Sequence, residues 1–436
     1  MPKKEANPTK GTTEPHVSSS VDDLLAAALE RGDDSLETGR YIVTFKENAS
    51  DDAIKSLSEK GLRFADARDY TDQAVTFENV GDAEALVFPE IGAAVISGPA
   101  FEARELNALT DGSTDSAIEA IEPEYFVFAD ADSTGYLRGF RRAAEAIAED
   151  LRAPGETEIE PEEDPLVVGA TWGLIACKVP PSLRSGVGIK VAVLDTGLDL
   201  GHPDFAGRPI VSQTFVGQPV QDLHSHGTHT CGTACGPKAP AGATPRYGIA
   251  YRAPIFVGKV LSNSGSGSTA SVLAGMNWAI ANRCVAISMS LGSNSPVQTA
   301  YTAAGASALS KGCLIIAAAG NAGPAGHTGA PANSPTIMAV ASVDNNLGWS
   351  QFSSIGKIEI AGPGRDVFSS VPRPTKYGTK SGTSMATPHV AGCAALWAET
   401  STALRGMTLW RKLQATAKPL PLPVTKVGKG LVQAPA

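Results

Sequence analysis

The second half of the chain alternates two kinds of apolar pattern, and this alternation restricts the fold more than any other feature. Five short runs are almost continuously apolar: Lys190–Leu194, Ile255–Val260, Val285–Met289, Leu314–Ala318 and Ile337–Val343. Between and after them lie longer stretches of helical spacing: Gly227–Cys235, Thr269–Ala281, Gln298–Ser310, Met385–Glu399 and Thr408–Ala415. A strand that is apolar at nearly every position is buried on both faces. Strands of that kind joined through helices predict an α/β fold, a mostly parallel sheet with helices on both faces. Reactive groups in such sheets gather at the carboxyl ends of the strands.

The first half reads differently. With 436 residues the chain is too long for one small domain. Residues 1–38 are expected to be a disordered leader, relieved by one small amphipathic helix around Leu24–Leu29. Residues 39–131 form a small α+β domain. It opens with a strand at Tyr41–Lys46 and a helix over Asp51–Gly61, continues through β-rich segments at Ala74–Phe77 and Ala93–Ile96 and a helix over Phe101–Leu109, and closes with Ala117–Ala129. Residues 132–166 follow as a linker, with a basic-acidic helix at Gly139–Leu151. Its last part, Gly155–Pro165, is dense in acids and broken by two prolines, so it cannot bury a core. Residues 167–436 make the second domain.

Composition excludes some partners. The formal net charge of −9 leaves no electrostatic footprint for nucleic acid or an anionic membrane surface. No apolar run approaches the roughly 18 residues that would span a bilayer. Met1–Ser20 lacks the apolar core of a secretory signal, so a cytoplasmic setting is expected over a secreted one. The six cysteines mostly sit inside apolar patterns, and Cys231 and Cys235 are four apart on a helix; they read as reduced, buried thiols. A monomer is expected.

Four residues stand where chemistry is feasible. Ser384, in Gly382-Thr383-Ser384-Met385-Ala386-Thr387-Pro388-His389, sits where a loop enters an alanine-rich helix. First-turn N–H groups and the helix dipole would favour an oxyanion there, although a serine in that place is also an ordinary N-cap. Asp195 ends the apolar run Val191–Leu194, where an acid is either hydrogen-bonded or used. An aspartic protease also uses an apolar-Asp-Thr-Gly run, but it needs two such loops and this chain has one. His226 lies among His224, His229 and Cys231, a set that raises zinc but lacks the usual ligand spacing and a following carboxylate. Asn321 follows a strand end, where its amide could donate to a developing oxyanion or simply shape a turn.

Taken together, Val193-Leu194-Asp195-Thr196-Gly197, His226-Gly227-Thr228-His229, Ala319-Gly320-Asn321 and Gly382–His389 resemble the subtilisin-like serine proteases, in the same chain order. The resemblance runs from about Trp172 to Ala434. It implies a serine endopeptidase of the peptidase S8 kind, with Asp195, His226 and Ser384 as the catalytic triad and Asn321 as the oxyanion donor. It further implies that Gly265, Ser266 and Gly267 on one side, and Ser290, Leu291 and Gly292 on the other, pair with an extended substrate. Ala318, Ala319, Gly320 and Gly329 would wall a neutral pocket with a broad preference for apolar or aromatic side chains. No cofactor is required for such chemistry. Asp204 matches one calcium ligand of the family and leaves room for a structural calcium, whereas Gly236–Tyr247 lacks the family's Asn-rich calcium loop. Cys231 stands where relatives carry alanine. Residues 39–131 resemble, more loosely, the inhibitor-type prodomains of the family, a ferredoxin-like unit, so the chain's own N-terminal unit is expected as an intramolecular inhibitor beside protein or peptide substrates.

Overall fold

The computed structural model describes residues 16–31, 35–104, 106, 116–129 and 169–436. The helix expected at Gly139–Leu151 and the acidic stretch Gly155–Pro165 lie outside the described residues.

In the N-terminal half, helix α1 (Val21–Arg31) takes up the amphipathic segment of the leader. Strand β1 (Glu37–Phe45) and helix α2 (Ser50–Glu59) follow, then strands β2 (Phe64–Asp66), β3 (Ala85–Phe88) and β4 (Ala93–Ile96), helix α3 (Gly98–Ala103) and strand β5 (Ile118–Phe128). β3, β4, β1 and β5 are neighbours in that order, and each adjacent pair is antiparallel. Helices α2 and α3 cover one face, with Leu57, Ala53 and Phe101 packed on Val43, Val87 and Ile96.

Two expectations are corrected here. Ala74–Phe77 is not a strand. It is irregular and runs into a 3₁₀ turn at Phe77–Val80: the buried Val75, Phe77 and Val80 join a core shared by both halves of the chain, and the Ala74 carbonyl takes a hydrogen bond from Gln213. The strand in this region is instead β3. The second helix begins earlier than Phe101, at Gly98, where Pro99 fits the first turn because the N–H it lacks would have no helical partner there.

In the second half, a short helix α4 (Trp172–Ala176) precedes strand β6 (Val191–Asp195). Next come β7 (Ile210–Thr214), helix α5 (His226–Cys235), β8 (Ile255–Lys259), β9 (Ser266–Ser268), helix α6 (Thr269–Ala281) and β10 (Ala286–Met289). Helix α7 (Thr299–Ser310), β11 (Leu314–Ala318), β12 (Met338–Val343), β13 (Ile360–Pro363), helix α8 (Thr383–Thr400) and helix α9 (Gly406–Thr416) complete the chain's main elements. Seven strands form one sheet in the order β13-β12-β11-β10-β6-β8-β7, and every neighbouring pair is parallel.

Alternate residues of each central strand enter opposite cores. Ala192, Leu194, Ile287, Met289 and Ile315 pack with α6 and α7, while Val191, Val193, Ala286, Leu314 and Ile316 pack with α5, α8 and α9. This is the period-2 consequence of a sheet covered on both faces. The chain leaves β6 toward β8 and β7 on one side, and β10 to β13 extend on the other. The strand order therefore reverses between β6 and β10, where open α/β sheets keep their sites.

Candidate active site

Asp195 is the last residue of β6 and is 1% exposed. A buried carboxylate must be satisfied, and this one is. Its Oδ1 accepts from the Thr196 backbone N–H at 2.7 Å, its Oδ2 accepts from the Thr230 hydroxyl at 3.0 Å, and its Oδ1 lies 2.7 Å from His226 Nδ1. Burial pushes the Asp195 carboxyl up, but the His226 charge and the hydrogen bonds together outweigh it and hold the group below its usual range.

His226 is the first residue of α5. The helix start is pressed against the Asp195 turn: a Cβ on Gly227 would run into the Gly197 carbonyl, and one on Gly197, at φ +104°, into the Val220 carbonyl. A second buried carboxylate ties these pieces together, and nothing in the sequence reading marked it. Asp222 Oδ1 accepts from the Thr196 hydroxyl and from the His224 and Ser225 backbone N–H groups, each at 2.9 Å. Its Oδ2 accepts from the Thr228 N–H at 2.8 Å and the Thr228 hydroxyl at 2.7 Å. Ser225 is held at φ +77°, a left-handed conformation, immediately before the helix. A lone aspartate four residues before a histidine is a weak sequence signal, since its partners are separated from it by up to 26 positions.

Two neighbouring histidines, His229 and His389, are otherwise engaged. His229 Nε2 meets the Val367 carbonyl at 2.8 Å, and burial pushes its pKa down to about 3. His389 Nδ1 meets the Met385 carbonyl at 2.8 Å and is likewise pushed down to about 4. Among the described residues no group of three or more His, Cys, Asp or Glu side chains is arranged to hold a metal. Asp204, the residue with a calcium resemblance, accepts on Oδ2 from the hydroxyls of both Tyr247 and Tyr377. Cys231 is fully buried, and burial pushes its thiol well up from the ordinary value.

Ser384 is the second residue of α8 and is 2% exposed. Pro388, four residues on, has no N–H to give the Ser384 carbonyl. The Ser290 hydroxyl supplies the missing donor at 2.6 Å, so the strand-end residue Ser290 holds the first turn of α8. Asn321 stands beside it. Its Oδ1 accepts from the Thr383 backbone N–H at 2.9 Å and the Thr383 hydroxyl at 3.0 Å. Both of these donors sit on Oδ1, so the Asn321 side chain is fixed against the start of α8. Gly320 N–H donates to the same Thr383 hydroxyl at 3.2 Å.

The cleft beside Ser384 is filled by the N-terminal half. β5 pairs antiparallel with β9, Phe126 opposite Ser268, Val127 opposite Gly267 and Phe128 opposite Ser266. On its other edge Phe128 exchanges both backbone hydrogen bonds with Gly292 at 3.0 Å. The Ala129 N–H donates to the Gly265 carbonyl at 2.9 Å, and the Ser384 hydroxyl donates to the Ala129 carbonyl at 3.2 Å. Gly265, Ser266, Gly267 and Gly292 meet an extended chain through their backbones, while Leu291 points into the core. Ala318, Ala319, Gly320 and Gly329 lie together, with the Gly329 N–H on the Ala319 carbonyl at 3.2 Å, and contribute no charge.

Two carboxylates dock the N-terminal half onto helix starts. Glu122 accepts from the Thr299 N–H of α7 at 2.8 Å, and Glu124 from the Ala270 N–H of α6 at 2.9 Å. Both satisfy first-turn N–H groups that have no helical partner. Glu124 also holds Arg40 in a two-point pair of 2.6 and 2.9 Å, with both side chains 1% exposed or less. Burial pushes the Glu124 carboxyl up, and Arg40, with the other donors, more than reverses this, so the group lies below its usual range.

The chain has relatives among known proteins. The family model of the Subtilase family, peptidase S8, matches residues 186–431. Subtilisin Savinase of Lederbergia lenta is 40% identical over 271 residues, which are 61% of this chain and 97% of that protein. The alkaline protease of Alkalihalobacillus alcalophilus is 39% identical over 285 residues, 64% of this chain and 72% of the relative. The crystal structure of a cold adapted subtilisin-like serine proteinase superposes with a TM-score of 0.53 at 31% identity, covering 62% of this chain and 99% of the other. With the matched region spanning more than half of the sequence and enclosing every strand of the parallel sheet, the chain belongs to the subtilase family and is a hydrolase of the serine-protease type.

Proposed function

We propose that this protein is a serine endopeptidase made as a self-processing zymogen, in which Asp195, His226 and Ser384 are the triad and Asn321 the oxyanion donor. Ser384 Oγ attacks the scissile carbonyl carbon. His226 takes the hydroxyl proton and returns it to the leaving amine, while Asp195, bonded at Nδ1, fixes the imidazole tautomer and stabilises its cation. The negative charge that develops on the carbonyl oxygen is met by Asn321 Nδ2 and the Ser384 backbone N–H at the start of α8. The neutral surroundings of Ala318, Ala319, Gly320 and Gly329 favour apolar or aromatic side chains before the scissile bond, with broad rather than sharp selection. One methylene in such a pocket is worth only about 1–3 kcal/mol.

The observation that carries the zymogen reading is the seating of Phe126–Ala129 as an added strand in the cleft, with the Ala129 carbonyl at the Ser384 hydroxyl. The strand order β3-β4-β1-β5, antiparallel throughout and backed by α2 and α3, supports a ferredoxin-like inhibitor prodomain over residues 39–131. The cut falls at Ala129–Asp130 or the next peptide bond, and the N-terminal unit then remains as an inhibitor. The test is to produce wild type and Ser384→Ala side by side. Intact mass spectrometry should find an N-terminal fragment ending at residue 129 or 130 from wild type alone. A fluorophosphonate probe should label wild type and leave Ser384→Ala unlabelled. A wild-type chain that stays full-length yet hydrolyses peptides would refute the zymogen reading, and a peptide-library digest showing strict Lys/Arg or Asp/Glu cleavage would refute the pocket.

A further inference from the structure

We propose that α1 is a second closing element of the substrate cleft, docked on a rim surface built by Val216, Gln218 and Ser264, and that it keeps the N-terminal unit on the enzyme after self-cleavage. The proposal rests on the zymogen reading above. The resemblance to inhibitor prodomains begins near Tyr41, so α1 lies outside it.

Val21, Leu24, Leu25 and Ala28 recur at helical spacing and are each 6% exposed or less. They cluster with Phe126, Phe128 and Val216. Phe126 and Phe128 are two apart on one strand and therefore share a face. In that cluster their fully buried apolar neighbours come from α1, with Val216 the exception. Without α1, two phenylalanines of the seated chain that are now 1% exposed or less would lose most of the apolar residues they cluster with. Burying a phenylalanine is among the larger single contributions a side chain can make.

Polar contacts set the position of the helix. Asp22 Oδ2 accepts from Gln218 Nε2 at 3.1 Å, and its Oδ1 accepts from the Ser264 hydroxyl at 3.3 Å. Ser264 immediately precedes Gly265, whose carbonyl holds the Ala129 N–H. At the other end, Arg40 Nη1 donates to the Val17 carbonyl at 3.0 Å and fastens the approach to α1 onto β1. The helix thus touches the prodomain, the seated chain and the cleft rim together. Its removal would loosen the inhibitor without touching the triad.

The test uses the full chain with Leu24→Asp/Leu25→Asp, and separately with Ala27→Pro, which breaks α1 without adding charge. In the Ser384→Ala background nothing is cut, so hydrogen exchange reads docking alone; the Phe126 and Phe128 amides should exchange at least ~10-fold faster in both variants. In the active background both variants should still cut themselves, and the N-terminal unit should then dissociate on dilution at ~10- to 100-fold higher concentration than in the parent. Unchanged exchange together with an unchanged dilution midpoint overturns the proposal. A parent that never cuts itself counts against the zymogen reading, and the exchange measurement still decides whether α1 closes the cleft.

Discussion

Replacing Asp222 by asparagine should damage turnover far more than substrate binding. The carboxylate accepts five hydrogen bonds, three on Oδ1 and two on Oδ2, from both sides of the Asp195–His226 contact. An asparagine must place its NH₂ on one side. On the Oδ1 side it would strand the His224 and Ser225 N–H groups; on the Oδ2 side it strands the Thr228 N–H, and the Thr228 hydroxyl can rotate to accept. The second arrangement is the less costly. One buried donor left unpaired costs about 1–3 kcal/mol, and the remaining bonds lose the strengthening a charged acceptor gives. A total of about 2–4 kcal/mol lowers Tm by about 5–15 °C in a domain of this size. The Thr228 N–H lies in the first turn of α5, two residues after His226, so the relaxation moves the imidazole. A displacement near 1 Å costs on the order of 10²-fold in rate. The backbones of Gly265–Gly267 and Gly292, which hold the seated strand Phe126–Ala129 and are proposed to hold substrate, are not held by Asp222. The assay is steady-state hydrolysis of a peptide substrate with the N-terminal unit removed, beside a melting curve. The expected result is kcat reduced about 10²-fold with KM within a few-fold of the parent. A variant with the lowered Tm but kcat within three-fold of the parent would refute the reasoning and leave Asp222 a structural residue only.

Asn321→Ala should reduce kcat by about 10²–10³ with KM little changed, since its amide is asked to act on the transition state; an unchanged kcat removes it from the oxyanion site. With the Asp204 Oδ2 taken by two tyrosine hydroxyls, a chelator should leave Tm within about 2 °C, whereas Tyr247→Phe should lower it by stripping a buried donor from a carboxylate. A chelator-induced fall of 10 °C would restore calcium at this position. Glu124 is held below the ordinary carboxylate range, so its contribution is complete above the unfolded value near 4.3 and is lost as pH falls through the folded one. Docking of the N-terminal unit in the Ser384→Ala chain should therefore be insensitive to this group above about pH 5 and weaken below about pH 4, with a shallower acid slope for Glu124→Gln; equal slopes would show that other carboxylates carry the acid sensitivity.

What the sequence made legible was whatever one local pattern specifies. Helix α6 begins and ends at the residues read for it, Thr269 and Ala281, because apolar positions run its length and a serine capping box closes its start. The parallel sheet was legible because burial on both faces removes the polar alternation that would otherwise mark a half-exposed strand. Both edge strands were missed: β7 (Ile210–Thr214) because its residues are half-buried or exposed and the apolar run is absent, and β13 (Ile360–Pro363) because its four buried residues include a glycine and a proline. Ala74–Phe77 misled for the converse reason. Val75, Thr76 and Phe77 are buried, but in a cluster shared by both halves of the chain rather than as part of a sheet, and a pattern of burial does not say what does the burying.

The same distinction governs the site. Ser384, His226, Asn321 and Asp195 each sit at a helix start or strand end, so the local run that places them also betrays them. Asp222 joins the His226 turn to Thr196, 26 residues away, Ser290 holds the Ser384 carbonyl across 94 residues, and Glu124 docks the N-terminal half through Arg40, 84 residues away; no short window of sequence contains both ends of such contacts. Ser290 makes the point most directly. Pro388 signals from sequence that the Ser384 carbonyl loses its helical donor, yet the replacement hydroxyl comes from the strand end across the cleft, on the segment whose backbone carbonyl also lies 3.4 Å from the Ser384 hydroxyl. The first turn of α8 is therefore registered against the end of β10 as well as against its own helix. On the proposed function, that coupling ties the position of the reactive oxygen to the strand on which a peptide would lie, which is the geometry needed to present a carbonyl carbon to it.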